Sequence, residues 1–138
     1  MADYKRLRVW RKAHSVTCAL YAVTQTFPQR DRFVLGDQIL RAAISVCANI
    51  AEGCGRNGDG DLHRFLNIAL GSANELRYLV ELAMDVGLIQ RDTGSPILES
   101  IDDVRRMLTG LAVAAHQGRR GTVTTGARPL AAPSPNSG

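Results

Sequence analysis

Residues 61–87, DLHRFLNIALGSANELRYLVELAMDVG, decide the fold. Leu62, Phe65, Leu66, Ala69, Leu70, Ala73, Leu76, Val80 and Ala83 recur at intervals of three and four, the period at which side chains line one face of an α-helix. The pattern holds until Gly87, so one helix of roughly 26 residues and about 39 Å is expected, a length suited to a helical bundle. Gly71, Ser72 and Ala73 give it a waist of small residues where a neighbouring helix could approach closely.

The same period recurs on both sides of that stretch. Upstream, Leu35, Ile39, Ala42, Ala43, Val46 and Ile50 share one face of a helix expected over about 33–52, with Gly53 placed where a left-handed residue commonly ends a helix. Before it, Trp10, Ala13, Val16, Thr17, Leu20, Val23, Thr24 and Phe27 mark an amphipathic helix over about 7–27. Pro28 is expected to stop that helix, leaving residues 29–32 as a polar link. Downstream, Thr93 or Ser95 can cap a helix that places Ile97, Ile101, Val104, Leu108, Leu111, Ala112 and Ala115 inward, with Pro96 in its first turn. From Gln117 the pattern gives way to Gly, Thr, Pro, Ser and Ala, too poor in large apolar groups to offset the entropy of ordering. The sequence therefore predicts an all-α fold: an up-and-down antiparallel four-helix bundle over residues 1–116, followed by a disordered tail over 117–138. Short links favour antiparallel neighbours. An apolar share of 45% with only 5% aromatic residues agrees, because small aliphatic side chains let helices pack closely.

The formal charge of +4 is unevenly placed. Lys5, Arg6, Arg8, Arg11 and Lys12 stand against Asp3 at the start, and Arg119, Arg120 and Arg128 have no acid after Gln117. The body between is therefore near about −3 and is not a basic surface throughout. Any attraction to nucleic acid has to come from the ends, or from an assembly that gathers them. Cys18, Cys47 and Cys54 form no C-x-x-C and are odd in number, which points to reduced thiols and a cytoplasmic setting. Nowhere do about eighteen apolar residues run unbroken, and no signal-peptide core follows the charged start, so neither membrane insertion nor export by that route is expected.

The motifs that could carry chemistry fail on context. Gly53-Cys54-Gly55-Arg56-Asn57-Gly58 spells G-x-G-x-x-G, but a helix precedes it where the dinucleotide fingerprint needs a strand. Asn57, Asp59 and Asp61 alternate like calcium ligands, yet Leu62 and Ile68 occupy the positions that need Gly and Glu. They suit instead the positive end of the helix that follows, where Asp59 or Asp61 can cap or complement the dipole. No acid is followed three residues later by His, so di-iron chemistry is not indicated, and His14 with Cys18 is at most half a metal site. No catalytic residue, cofactor or metal is expected. Ser45, Asn49, Glu52, Ser72 and Glu75 are polar residues set into apolar stripes. Asn49 with Glu52, and Ser72 with Glu75, each share a face. Such pairs either fix helix register through buried hydrogen bonds or are solvated surface.

The run Asn49-Ile50-Ala51-Glu52-Gly53 with Gly55-Arg56, then Arg64-Phe65-Leu66-Asn67-Ile68-Ala69-Leu70-Gly71-Ser72 and Glu75-Leu76, resembles the four-helix-bundle proteins encoded in 23S ribosomal RNA intervening sequences. Leu7-Arg8-Val9-Trp10-Arg11-Lys12-Ala13 and residues 38–45 add to the resemblance, which covers about residues 4 to 116. It implies a homopentamer, and kinship with the accessory variability protein of diversity-generating retroelements, which binds nucleic acid and a reverse transcriptase. Asn49, Glu52, Arg56, Ser72 and Glu75 match the family's polar motif positions, with an expected structural or interfacial role. Gly58 stands where the family usually has a serine, and Asp61-Leu62 where it usually has Glu-Phe.

Physical grounds single out Lys5, Arg8, Arg11, Lys12 and Arg41 as basic contacts. The expected function is a non-catalytic oligomeric adaptor that contacts RNA or DNA, alongside a reverse transcriptase or another nucleic-acid enzyme. The alternative is a structural or protein-interaction bundle with no nucleic-acid role. The near-neutral body and the absence of an aromatic stacking platform favour that alternative.

Overall fold

A computed structural model describes residues 3–126, with side chains through Gly118. A 3-10 turn, Tyr4–Arg6, leads into α1, Arg8–Thr24. Then come α2, Gln29–Gly55, α3, Asp59–Asp85, and α4, Arg91–Gly126. No strand occurs among the described residues.

Each helix packs against its neighbours in sequence, and α4 closes the ring onto α1. Every pairing runs antiparallel. In α3 and α4, His63 meets Ala112 while Arg77, further along α3, meets Asp102, earlier in α4. In α1 and α2, Thr17 lies beside Ala43 and Cys47. Lys12 of α1 reaches Asp103 of α4. The up-and-down bundle expected from the sequence is the observed fold.

The core falls into two clusters. One holds Leu20, Phe27, Ile39, Val80 and Ile101, the other Val9, Ile50, Leu66, Ala69 and Leu108. They meet at a waist where Ala13, Ala43 and Ala73 face one another beside Val16, Val46 and Leu76. Short side chains on three helices let the backbones approach there, while Leu20, Ile39, Ile50, Leu66 and Leu108 fill the wider space above and below. Burying one such large aliphatic side chain contributes about 1.5–3 kcal/mol. Leu111, expected inward, is more than a third exposed.

Helix boundaries differ from the sequence expectation for identifiable reasons. Pro28 does not merely stop α1; its extended backbone serves as the N-cap of α2, and its carbonyl accepts from Arg32 N–H at 3.0 Å. The expected polar link therefore forms the first turn of α2. A π turn follows at Arg32–Gly36, closed by Asp37 N–H onto the Arg32 carbonyl, and it leaves Phe33 and Val34 facing solvent. Gly53 is not a left-handed cap. It lies inside α2, and a Cβ there would stand 3.0 Å from Phe65 Cβ, so the residue is small because α3 passes close by.

The left-handed glycines are Gly58 (φ 94°), which is the N-cap of α3, and Gly87 (φ 83°), just past its end. Leu88 N–H returns to the Ala83 carbonyl at 2.8 Å across Gly87, as in a Schellman closure. Asp59 and Asp61 sit in the first turn of α3, where their charge favours the positive end of the helix dipole, and the Asp59 carboxylate also lies against Gly118 of α4. Helix α4 begins at Arg91, a turn before Thr93 or Ser95, with Pro96 inside it. It runs through residues 117–126, where the sequence loses its pattern. The rest of the expected tail, 127–138, lies outside the described residues.

By length and composition α2 could cross a membrane. In the bundle its apolar face, including Ile39, Ala43, Val46 and Ile50, is buried.

Candidate nucleic-acid interface

The amino-terminal turn is built around its own cations. Asp3 caps it, its carboxylate accepting from Lys5 N–H at 3.0 Å, and Leu7 N–H closes it onto the Tyr4 carbonyl. Arg11, one turn into α1, reaches back and donates to the carbonyls of Arg6 at 2.7 Å and Lys5 at 3.3 Å. This fastens the turn to the helix and leaves the guanidinium charge at the surface. Lys5 and Arg8 are exposed and make no ion pair among the described residues.

The five basic residues singled out from the sequence thus divide. Lys5, Arg8 and Arg11 share one end of the bundle, joined by Arg6, which the sequence selection passed over. Lys12 turns away to Asp103 of α4, at 3.0 Å, and holds that carboxyl below the usual range. Arg41 lies on the outer side of α2. It precedes Ala43, the partner of Thr17, so it sits on the order of 10 Å along the bundle axis from the level of Lys12.

Three aromatic rings stand among these cations. Tyr4 meets Trp10 edge-on, with centroids 4.9 Å apart and planes at 69°. His14 lies nearly parallel on Trp10, at 4.8 Å and 8°. Trp10 and His14 are four residues apart, a spacing that could have been read as a shared helix face; Tyr4 joins them only because the 3-10 turn folds back. His14 Nε2 approaches Cys18 Sγ at 3.7 Å, a weak contact rather than a metal pair. Among the described residues no group of three His, Cys, Asp or Glu side chains could hold a metal ion.

The polar motif positions form two separate arrangements. Ser45 and Ser72 hydroxyls lie 2.7 Å apart across α2 and α3, and Asn49 donates to the Ser45 carbonyl and hydroxyl at 2.8 and 3.1 Å. That network pins the register of the two helices. Glu52 instead pairs with Arg56, the C-cap of α2, at 2.9 Å, and Arg56 also lies over the Phe65 ring, which carries Arg64 as well. Glu75 is exposed on α3.

Among the described residues, two clefts lie between α3 and α4. The larger, about 680 Å³, is lined by Asn74, Arg77, Asp102 and Arg105. Its guanidiniums are engaged: Arg77 donates to Asp102 at 2.8 Å and pairs with Glu81, while Arg105 binds Asn74 and Asp102. It is a clamp between helices. In the other cleft His63 Nδ1 donates to the Ala112 carbonyl at 2.8 Å, which fixes the imidazole tautomer, and Nε2 faces the Asn67 amide at 3.0 Å.

Burial pushes the thiols of Cys47 and Cys54 up from their ordinary value, whereas Cys18 is exposed. Five of the large exposed apolar side chains, Phe33, Val34, Ile44, Ile68 and Tyr78, lie on α2 and α3. Gly71 lies on α3 with open space where a Cβ would be.

Comparison with known proteins agrees with this geometry. A model of the 23S rRNA-intervening sequence protein family matches residues 5–110. The crystal structure of a protein of unknown function from the S23 ribosomal protein family of Bacteroides thetaiotaomicron VPI-5482 is similar, with a TM-score of 0.71 and 28% identity, over 75% of this chain and 97% of that one. No curated protein matches.

Proposed function

Because the chain belongs to the 23S rRNA-intervening sequence protein family, over residues 5–110, we propose that it is a non-catalytic, oligomeric binding protein of the cytoplasm that contacts RNA or DNA through the basic end of its bundle. The observation that carries this reading is the fastened amino-terminal turn. Lys5, Arg6, Arg8 and Arg11 stand together with Asp3 as the one acid of that segment, whereas Arg77, Arg91, Arg105 and Arg106 are matched by nearby carboxylates and the other cations without an ion pair among the described residues, Arg30, Arg32, Arg41 and Arg64, are spread along α2 and α3. Phosphates neutralised by such a cluster release counterions, so binding should weaken steeply as salt rises. Lys12 contributes less than the notional five-residue set suggests, since Asp103 already holds it. Arg41 acts only where a second chain brings it near.

Assembly belongs to the same reading. One chain offers few phosphate contacts, and a closed ring of copies multiplies them. The outer side of α2 and α3, with Phe33 67% and Tyr78 59% exposed, suits a neighbouring copy, and the Ser45, Asn49 and Ser72 network keeps that surface in register. A homopentamer is the proposed form, with a reverse transcriptase or another nucleic-acid enzyme as a partner of the assembly. The alternative, a bundle that binds only proteins, draws support from the same exposed apolar side chains.

The test is size-exclusion chromatography with light scattering and absorbance at two wavelengths, on protein prepared with and without nuclease. A particle of about 75 kDa, five chains of 14.9 kDa, with nuclease-sensitive absorbance at 260 nm is the expected result. A monomer or dimer free of nucleic acid refutes it. So does salt-independent oligonucleotide binding, or binding unchanged when Lys5, Arg8 and Arg11 become Ala.

A further inference from the structure

We propose that Tyr4, Trp10 and His14 form a stacking column for an unpaired nucleobase, so that the nucleic acid held at this end of the bundle is single-stranded. The inference rests on the nucleic-acid reading above and narrows it.

The column is anchored at one end and open at the other. Trp10 is partly buried against the cluster that contains Val9 and Ala13, so its ring is fixed by packing. Tyr4 meets its ring edge-on and His14 covers it nearly in parallel. His14 is exposed, and its described contacts are the Trp10 ring and the weak approach to Cys18. A flat aromatic ring therefore faces solvent on a rigid base. A planar partner adding to such a stack loses little freedom on the protein side.

The column and the cations also share one frame. The turn that carries Tyr4 is the turn that carries Lys5 and Arg6, and Arg11 holds it to α1 through the Lys5 and Arg6 carbonyls. Phosphate-neutralising charges beside a stacking surface make up the combination that binds single strands with little sequence preference, because every base has a π-face. A duplex keeps its bases stacked inside and offers only phosphates to the same surface.

The test uses the full chain and three labelled ligands: an oligouridine strand, the same strand with abasic sites, and a fully paired two-strand duplex with the same number of phosphates. Affinity is read by anisotropy, and emission is read from Trp10, the chain's single tryptophan. His14→Ala removes the open end of the stack at an exposed position where folding is not at stake, and His14→Tyr restores a planar ring. The expected result is tighter binding of the intact strand than of the abasic strand or the duplex, with a change in Trp10 emission. His14→Ala should weaken the intact strand on the order of tenfold while leaving the abasic strand unchanged, and His14→Tyr should recover it. Salt-sensitive binding that is equal for intact and abasic strands and indifferent to His14→Ala overturns the column and leaves the nucleic-acid interface standing. No binding to any of the three ligands overturns both.

Discussion

Replacing Gly53 and Gly110 by alanine, separately, sets the same chemical change in two surroundings. Both glycines lie inside helices, and neither has a positive φ. In a helix interior the change from Gly to Ala is worth about 1 kcal/mol in helix propensity. At Gly110 a Cβ would meet nothing within 4 Å, so that gain should appear nearly whole as increased stability. At Gly53 the gain is smaller, because the residue lies in the last turn of α2, and it is opposed. The new methyl would stand 3.0 Å from Phe65 Cβ and 3.2 Å from Leu62 Cδ1. Leu62 can change rotamer, but Phe65 Cβ is fixed to the backbone of α3, so the two helices have to part by a few tenths of an ångström. Overpacking of this kind costs about 1–3 kcal/mol. The Gly53→Ala protein should therefore be less stable than Gly110→Ala by roughly 1–3 kcal/mol, with the parent chain between them or level with the former. Urea unfolding at one fixed protomer concentration, followed by circular dichroism with the slope checked for constancy, measures the difference. Equal stability of the two variants would refute the claim that the approach of α3 dictates a glycine at 53.

Two other perturbations probe the clamp and the thiols. Hydrogen bonding from Arg77, and then from Arg105, holds the Asp102 carboxyl below its ordinary value. A carboxylate whose pKa is lower folded than unfolded adds stability above the unfolded value, near pH 4, and loses it as pH falls through the folded value. The stability gap between the parent chain and Asp102→Asn should thus be open at neutral pH and close on acidification below about pH 4; a gap of unchanged size at pH 3 would count against the clamp. Because burial pushes the Cys47 and Cys54 thiols up while Cys18 is exposed, a thiol reagent at neutral pH should label Cys18 fastest, the half-buried Cys47 slowly and the buried Cys54 only after denaturation. Fast labelling of Cys47 in the folded chain would contradict its place beside Thr17.

What the sequence made legible was periodicity, and what it hid was pairing at a distance. Leu66, Ala69, Ala73, Leu76 and Val80 repeat at the helical period, and all are buried. One-dimensional spacing suffices because helix formation and face assignment are local. The ends of the helices were harder. Pro28 has the same chemistry whether it stops one helix or starts the next, and Gly53 reads as a left-handed cap until α3 is seen beside it. The site shows the same division. The run of cations at the start is visible in the sequence, but the removal of Lys12 by Asp103 depends on α4 closing the ring onto α1.

That closure bears on which surface is free to act. Within the first twelve residues, Arg11 is spent on fastening a turn and Lys12 on joining two helices, yet the first keeps its charge exposed while the second has it matched. Counting basic residues therefore overstates the interface, and counting aromatic residues understates it. Aromatics make up 5% of the chain, a share that argues against a stacking platform only if they are scattered. The 3-10 turn brings Tyr4 to Trp10, and the helical repeat brings His14 to the other side. On the proposed reading, a feature that favoured a purely protein-binding role becomes one that favours contact with an unpaired base. The variants that separate the two roles are at His14 rather than at the lysines, because charge alone attracts any polyanion.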